Sequence, residues 1–300
     1  MSIRKIAIVV VTYNREVLLK RCIEALKRQH FAWDKLFVIN NGSTDGTRTW
    51  LDSQEGMEVI HQANTGGAGG FYSGIKYAVE KGFDYIWVMD DDVIAADDAL
   101  EQLMLAAELV PDFSFLCSKV NSQDGVVINT PNIDNSVSRY QYPQWGEFAE
   151  HGMIRVSSST FVSVLINAKH VQKAGLPIRD FFIWGDDIDF TNRLSKQAPG
   201  YMVGRSKVVH LRANPSFPSL ITEVDKNRIA LHFYNIRNNI YISRKHKRRA
   251  DLLMDTLHYT KVAVASAFTS NGWYKLRIYA KGFWAGWFFN PQIVYPNQKL

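Results

Sequence analysis

Cysteine is scarce in this chain: two residues in 300, Cys22 and Cys117, each in a segment whose apolar spacing predicts a helix or a strand. Two isolated thiols without ligand spacing exclude a disulfide framework and a cysteine metal site, and they suit a reducing cytosolic compartment. Long hydrophobic runs are also missing. No apolar stretch approaches the roughly 20 residues of a membrane-spanning helix. Met1-Ser2-Ile3-Arg4-Lys5 leads straight into a strand pattern too short for a secretion-signal core and without a cleavage site, so no leader is expected. A large charge excess is lacking too: the net charge is +6, little for a nucleic-acid binder, and its distribution matters more than its size. With 46% hydrophobic and 21% charged residues, disorder is not expected, and the chain can bury one main core plus an appendage.

What is present is a repeated pairing of short apolar runs with polar loops. Ile6-Ala7-Ile8-Val9-Val10-Val11 reads as a buried strand followed by Thr12-Tyr13-Asn14-Arg15 and a helix carrying Val17, Leu18, Cys22 and Leu26. Lys35-Leu36-Phe37-Val38-Ile39 ends in Asn40-Asn41-Gly42-Ser43-Thr44-Asp45-Gly46, whose small and amide residues favour a turn and can hydrogen-bond a ligand. A third strand, Met57 to His61, runs into Asn64-Thr65-Gly66-Gly67-Ala68-Gly69-Gly70-Phe71, with a helix expected from about Ser73 to Lys81. This alternation predicts an α/β fold with a mostly parallel sheet, flanking helices and its loops gathered at one edge. The glycine cluster superficially resembles a dinucleotide fingerprint. That fingerprint belongs to the first strand–helix turn, however, which here is Thr12-Tyr13-Asn14-Arg15. The glycines are expected to admit an anion or sugar close to backbone N–H groups beside a helix start, the alternative being a flexible turn.

The centre of the chain is Tyr85-Ile86-Trp87-Val88-Met89-Asp90-Asp91-Asp92, a buried strand delivering three carboxylates to the sheet edge. Adjacent carboxylates repel, so a cation is expected, and Mg²⁺ or Mn²⁺ suits one or two carboxylates beside a diphosphate. The alternative is a solvated acidic turn before the helix at Asp97-Asp98. A strand at Phe113 to Val120 follows. Residues Asn121 to Gly152 then lose periodicity and are expected to form hairpins or a long loop over the active edge, facing the acceptor. Val156 to Ile166 reads as one strand and Ala168 to Ala174 as a helix. A second acidic cluster, Trp184-Gly185-Asp186-Asp187-Ile188-Asp189, opens a further helix.

Taken together, Val10-Val11-Thr12-Tyr13-Asn14-Arg15, Asn40 to Thr47, Asp90-Asp91-Asp92 and Trp184-Gly185-Asp186-Asp187 resemble, in order, the motifs of the inverting family 2 glycosyltransferases with the GT-A fold. The resemblance covers about the first four-fifths of the chain. Gln62 to Phe71, the triple aspartate and His232-Phe233-Tyr234-Asn235-Ile236-Arg237-Asn238-Asn239 look closest to bacterial galactofuranosyltransferases and rhamnosyltransferases. Gly185 departs from the charged or bulky residue of some relatives. The resemblance implies that Thr12, Tyr13, Arg15, Asn41 and Asp45 line the donor pocket, with Arg15 on phosphate. Gly66, Gly67, Gly69 and Gly70 join that pocket, and Asp91 holds ribose or sugar. Asp90 and Asp92 would hold Mn²⁺ or Mg²⁺, joined by His210, although a lone histidine after an apolar run is commonly structural.

Single-displacement inversion needs one general base at the acceptor hydroxyl and a cation at the departing diphosphate. Asp187 is expected as base, with Asp186 and Trp184 binding the acceptor; a plain acidic helix start is the alternative for the pair. The donor expected is a nucleotide sugar, with UDP-galactofuranose favoured over dTDP-rhamnose. The acceptor expected is a lipid-linked saccharide in O-antigen or lipopolysaccharide synthesis on the cytoplasmic face of the inner membrane.

At position 244 the composition changes. The basic run Arg244-Lys245-His246-Lys247-Arg248-Arg249 precedes an apolar helix pattern and the aromatic, cationic stretch Trp273 to Phe289. Residues 1–243 are therefore expected to form the catalytic domain, and 244–300 a helical segment for peripheral membrane contact or homo-oligomerisation, with no nucleic-acid partner. A sugar nucleotidyltransferase would want a glycine-rich basic loop after the first strand, which Thr12-Tyr13-Asn14-Arg15 is not. A non-catalytic sugar- or nucleotide-binding module has no need of a second acid cluster.

Overall fold

In the computed structural model, which describes residues 4–212 and 218–296, the β-branched run after Lys5 forms β1 (Ile6–Thr12), buried along its whole length. A strand buried on both faces needs two covering layers, and the chain supplies them by alternation. The elements that follow are α1 (Glu16–Lys27), β2 (Lys35–Asn40), α2 (Thr47–Asp52), β3 (Glu58–His61), α3 (Gly66–Glu80) and β4 (Tyr85–Asp90). Their strands pair in parallel in the order β3-β2-β1-β4. On one face Leu19, Ile23 and Leu26 of α1 share a core with Ile8 and Val10. On the other, Phe71, Ile75 and Ala78 of α3 share one with Val9 and Val11.

The helix α3 starts seven residues before the expected Ser73, so the glycine cluster is its first turns rather than a loop. Glycine disfavours helix, which hides this start from a propensity reading; packing overrides it. A Cβ on Gly70 would stand 2.4 Å from Val11 Cγ1, and one on Gly74 2.3 Å from Val9 Cγ1, so bare backbone is what lets α3 lie close on β1.

Beyond β4 come β5 (Val93–Ala95), α4 (Ala99–Leu109), β6 (Phe115–Asn121), β7 (Asn132–Ile133), β8 (Met153–Ser158), β9 (Val164–Asn167), α5 (Ala168–Ala174), α6 (Asp186–Ser195) and β10 (Gly200–His210). Here the sheet turns mixed. β9 is antiparallel between β4 and β6, β10 is parallel to β6, and β8 and β5 are antiparallel to β10. Among the described residues this makes one ten-stranded sheet. The single strand expected over Val156–Ile166 is two, β8 and β9, parted at Ser159–Ser163. Hydroxyl side chains compete with ladder hydrogen bonds there: the Ser159 backbone N–H donates to Thr191 Oγ1 at 3.0 Å, and Ser163 Oγ bonds Trp87 Nε1 and Ser118 Oγ.

The chain divides into two compact units, one of Met1–Arg179, Asp187–Pro215 and Ile293–Leu300, the other of Asp180–Asp186 and Ser216–Gln292. The second holds α7 (Lys226–His246), α8 (Arg249–Ala267) and α9 (Gly272–Phe288). The compositional boundary at 243/244 thus falls inside α7, which continues unbroken through it. Against α7, Gly282 and Gly286 give α9 its close approach: added Cβ atoms would meet Phe233 O and Arg237 O, each at 2.9 Å. Ile229, Ile236, Ile240 and Ile278 form the core of this unit, with Phe233, Tyr274, Phe283 and Trp287 packed on it. Part of the aromatic stretch thus packs, half-buried, on this core.

Candidate active site

Parallel register decides what meets at the strand ends. Val11 pairs with Asp90, so the next residues, Thr12 and Asp91, lie side by side, and Thr12 Oγ1 donates to Asp91 Oδ2 at 2.7 Å. Arg15, expected at phosphate, pairs with the acids through one nitrogen: its Nη1 lies 2.5 Å from Asp92 Oδ2 and 3.4 Å from Asp91 Oδ1, and its side chain stays half exposed. It is a cation that answers the repulsion of three adjacent carboxylates. Burial works against the guanidinium charge, but the three aspartates outweigh it and raise the Arg15 pKa.

The short β5 completes the cluster. Val93 pairs with His210, and Leu211 N donates to Asp92 O at 2.8 Å, which sets the His210 ring beside Asp92. Ligand atoms of Asp90, Asp92 and His210 all lie within 4.8 Å of one another. His210 Nε2 stands 3.0 Å from Asp92 Oδ1 but off hydrogen-bond alignment, so Oδ1 is buried without a directed donor. Two carboxylates and an imidazole converging on one point, one oxygen orphaned, fit Mn²⁺ or Mg²⁺. Burial and the neighbouring Asp92 push the Asp90 carboxyl up to about 7. Burial also lifts Asp91 to about 6, against Arg15 and Thr12. Burial would raise Asp92 as well, but His210 and Arg15 outweigh it and hold that carboxyl below its ordinary value.

The second loop lies along the ends of β2 and β3. Asn41 is buried, and both ends of its amide are engaged: Oδ1 accepts from Gln62 Nε2 at 2.8 Å and Thr65 N at 3.2 Å, and Nδ2 donates to Gly66 O at 2.9 Å. Its role is to fasten the start of α3. Asp45 is exposed and accepts from Thr47 N at 3.0 Å, and Tyr13 is 44% exposed, so both are open to a ligand. The glycines divide. Gly67 has nothing within 4 Å of a Cβ position, and Gly66 has φ +74°, whereas a Cβ on Gly69 would stand 2.1 Å from Thr65 Oγ1 and Gly70 packs on β1. Gly69 and Gly70 therefore serve packing, whereas the Cβ side of Gly67 is open. Asn14 cross-links the first two loops through Thr44 N at 2.7 Å and Ser43 Oγ at 3.0 Å.

In the second acidic cluster, Asp186 is buried and Asp187 half-buried; Asp187 Oδ1 accepts from Ile188 N at 2.7 Å at the head of α6. The third acid, Asp189, is structural. It binds Arg193 Nε at 2.9 Å, and Arg193 in turn holds the carbonyls of Gly175 and Leu176. Asp187 belongs to the unit that carries Asp90, Asp92 and His210, whereas Trp184 and Asp186 belong to the other. Gly185 has φ +90°, and a Cβ there would meet Ile242 Cδ1 at 2.9 Å, which accounts for glycine where some relatives carry larger residues.

Asn129 was not legible as a site residue. Its Oδ1 lies 3.1 Å from His210 Nδ1, a contact that orients the ring with Nε2 toward the acids. It sits in the aperiodic stretch after β6, and its only signal is a left-handed backbone, φ +50°, which sequence does not display. A cavity lined by Arg4, Asp84, Tyr85 and Lys169 lies at the opposite, starting end of β4, remote from this chemistry.

Residues 7–165 match the family described as Glycosyl transferase family 2. Galactofuranosyltransferase GlfT1 of Mycolicibacterium smegmatis is 28% identical over 203 residues, covering 62% of this chain and 64% of that protein. GlfT1 of Mycobacterium tuberculosis is 28% identical over 197 residues, covering 62% and 63%. The match thus spans slightly less than two thirds of these relatives. Among solved structures, S. aureus TarS in complex with UDP superposes with a TM-score of 0.54 at 13% identity over 78% of this chain and 66% of that one. GalNAc-T7 with UDP, GalNAc and Mn²⁺ gives 0.58 at 14% identity over 92% and 57%. These two likenesses establish a shared fold. Since the family match takes in more than half of the residues, the chain belongs to glycosyl transferase family 2.

Proposed function

We propose that this protein is an inverting, metal-dependent glycosyltransferase that moves a sugar, with galactofuranose from UDP-galactofuranose favoured, onto a lipid-linked saccharide acceptor. The observation that carries the reading is the convergence of Asp90, Asp92 and His210, within 4.8 Å, at the strand ends of a family 2 fold. Galactofuranose is supported by the GlfT1 relatives and by the Gln62–Phe71 wording, and a UDP donor by the UDP-bound neighbours.

In this reading Asp90, Asp92 and His210 hold Mn²⁺ or Mg²⁺, which supplies neutralisation of the charge that develops on the departing diphosphate. Thr12 and Arg15 hold Asp91 and Asp92 in place, and Tyr13, Asp45, Gly66 and Gly67 face the nucleotide. Asp187 takes the acceptor hydroxyl proton, and Asp186 and Trp184 position the acceptor.

Peripheral contact with an anionic bilayer on the cytoplasmic face is part of the proposal, in keeping with O-antigen or lipopolysaccharide assembly. No described helix is long and apolar enough to cross a membrane. Contact is supported by Phe268, Trp273, Trp284 and Phe288, which are 63–88% exposed, and by the absence of any Asp or Glu after Asp255 against Lys261, Arg277 and Lys281. Rings at headgroup depth with lysines and arginines among them suit such a surface.

The test is nucleotide release by the purified chain with UDP-galactofuranose, UDP-galactopyranose, dTDP-rhamnose and GDP-mannose, each with and without Mn²⁺. Metal-dependent release from UDP-galactofuranose is expected. Turnover of dTDP-rhamnose alone would move the donor to the alternative, synthesis of a sugar nucleotide from a triphosphate would indicate a nucleotidyltransferase, and binding without turnover a non-catalytic module.

A further inference from the structure

The run His232 to Asn239 lies on α7, outside the acid cluster. Within the second unit it forms a cradle for the segment that leads into Asp186. That segment is unusual: Phe182, Trp184 and Gly185 have φ of +65°, +63° and +90°, three left-handed residues in four. Two of them are bulky L-residues, for which this conformation is unfavourable, and such strain persists only where surrounding contacts over-determine it.

Those contacts come from one face of α7. Asn238 is fully buried, and its Nδ2 lies 3.0 Å from Phe181 O, 3.0 Å from Ile183 O and 2.8 Å from Trp184 O. Its two N–H bonds are thus shared among three carbonyls of the turn. Arg237 Nε donates to Asn238 Oδ1 at 2.9 Å, which orients the amide, while Arg237 Nη2 donates to Asp180 O at 2.7 Å. Phe182 stacks on Tyr234, with ring centroids 4.8 Å apart, and Trp184 packs against His232 at 5.5 Å. Ile242 closes the Cβ side of Gly185.

We propose that Asn238, oriented by Arg237, is a positioning residue that holds the left-handed turn Phe182–Gly185 and thereby sets the direction in which the chain delivers Asp186 and Asp187. This rests on the glycosyltransferase reading for its catalytic consequence, though not for its conformational one. Asn238 touches no reacting group; it acts through the acid pair. Without the amide, the three carbonyls lose their shared donor and the strained turn relaxes toward ordinary extended backbone. Displacing a base by about 1 Å is enough to cost on the order of 10²-fold in rate.

The experiment is Asn238→Ser, alone and combined with Asp187→Asn. Amide exchange at 182–187 should quicken at least tenfold in the single variant. Transfer kcat should fall 30-fold or more with donor KM unchanged, yet less than threefold further in the Asp187→Asn background, because both changes act on one group. A structural defect alone would add its full cost in both backgrounds. The proposal is overturned by unchanged exchange, by kcat within threefold of wild type, or by additivity. If Asn238→Ser does not fold, Arg237→Lys removes the Nε donor to Asn238 and should give the same pattern at smaller size, and wild-type behaviour there overturns it equally. If the wild-type protein transfers no sugar from any donor, the functional reading has failed, and exchange at 182–187 alone decides the clamp.

Discussion

Lowering the pH should release the metal from the acid cluster. Burial and the adjacent Asp92 hold the Asp90 carboxyl up at about 7, so in the metal-free protein this group is largely neutral below neutrality. A hard divalent cation binds the carboxylate, so each ion bound must displace that proton. Apparent affinity should then fall about tenfold per pH unit below 7 and flatten above it, which makes Mn²⁺ binding about 30-fold weaker at pH 5.5 than at pH 8. Calorimetric titration in buffers of different ionisation enthalpy reads both quantities, and proton release should approach one at pH 6 and vanish near pH 8. Asp90→Asn should bind more weakly and lose the pH dependence. The stability of the metal-free protein carries the matching sign: a carboxyl raised from 3.8 to about 7 contributes stability that is complete below 3.8 and lost as pH rises through 7. Asp92, held low, acts the other way, losing its contribution only as pH falls below 3.8. Saturating Mn²⁺ should abolish this slope between pH 5 and 7.5, because the carboxyl is then unprotonated in both the folded and the unfolded state. Affinity varying less than threefold over that range, or no proton release at pH 6, would refute the reasoning.

Asp187→Asn should lower transfer by about 10²–10⁴-fold, the usual size of a general-base contribution. The amide oxygen can still accept from Ile188 N, so α6 and donor affinity should hold, while Asp186→Asn should instead raise acceptor KM; steady-state kinetics with both substrates separates the two. Replacing Trp273, Trp284 and Phe288 together by Ser should abolish sedimentation with anionic vesicles and leave donor hydrolysis intact. Retained sedimentation would send those rings to a partner subunit. Truncation near Lys245 is the poorer test, since it also removes Val294, whose carbonyl takes Leu176 N at 2.8 Å.

The strand ends were readable from sequence because period and punctuation coincide there. Apolar runs of six or seven residues, each stopped by a polar cluster, admit few topologies once the connections are right-handed. Asp90, Asp91, Asp92, Thr12 and the helix start at Asp186 follow from that pattern. The glycine cluster was misplaced into a loop because propensity counts backbone entropy and is blind to Val9 and Val11, whose side chains stand where Cβ atoms would be. In the tail, aromatic composition does not tell the two faces of α9 apart, and only the partner helix separates Phe283 and Trp287 from Trp273, Trp284 and Phe288.

By itself, then, the sequence determined the α/β class, the acid-bearing strand end and the family, all of which depend on local order along the chain. Only the tertiary structure decided what each polar group meets. Arg15 is bound to the carboxylates through one guanidinium nitrogen, Asn41 and Asn238 hold backbone in place, and Asn129 stands behind His210. Those pairings join residues 25 to 81 positions apart, and a buried hydrogen bond is chosen by which groups packing brings within about 3 Å, a choice no local pattern encodes.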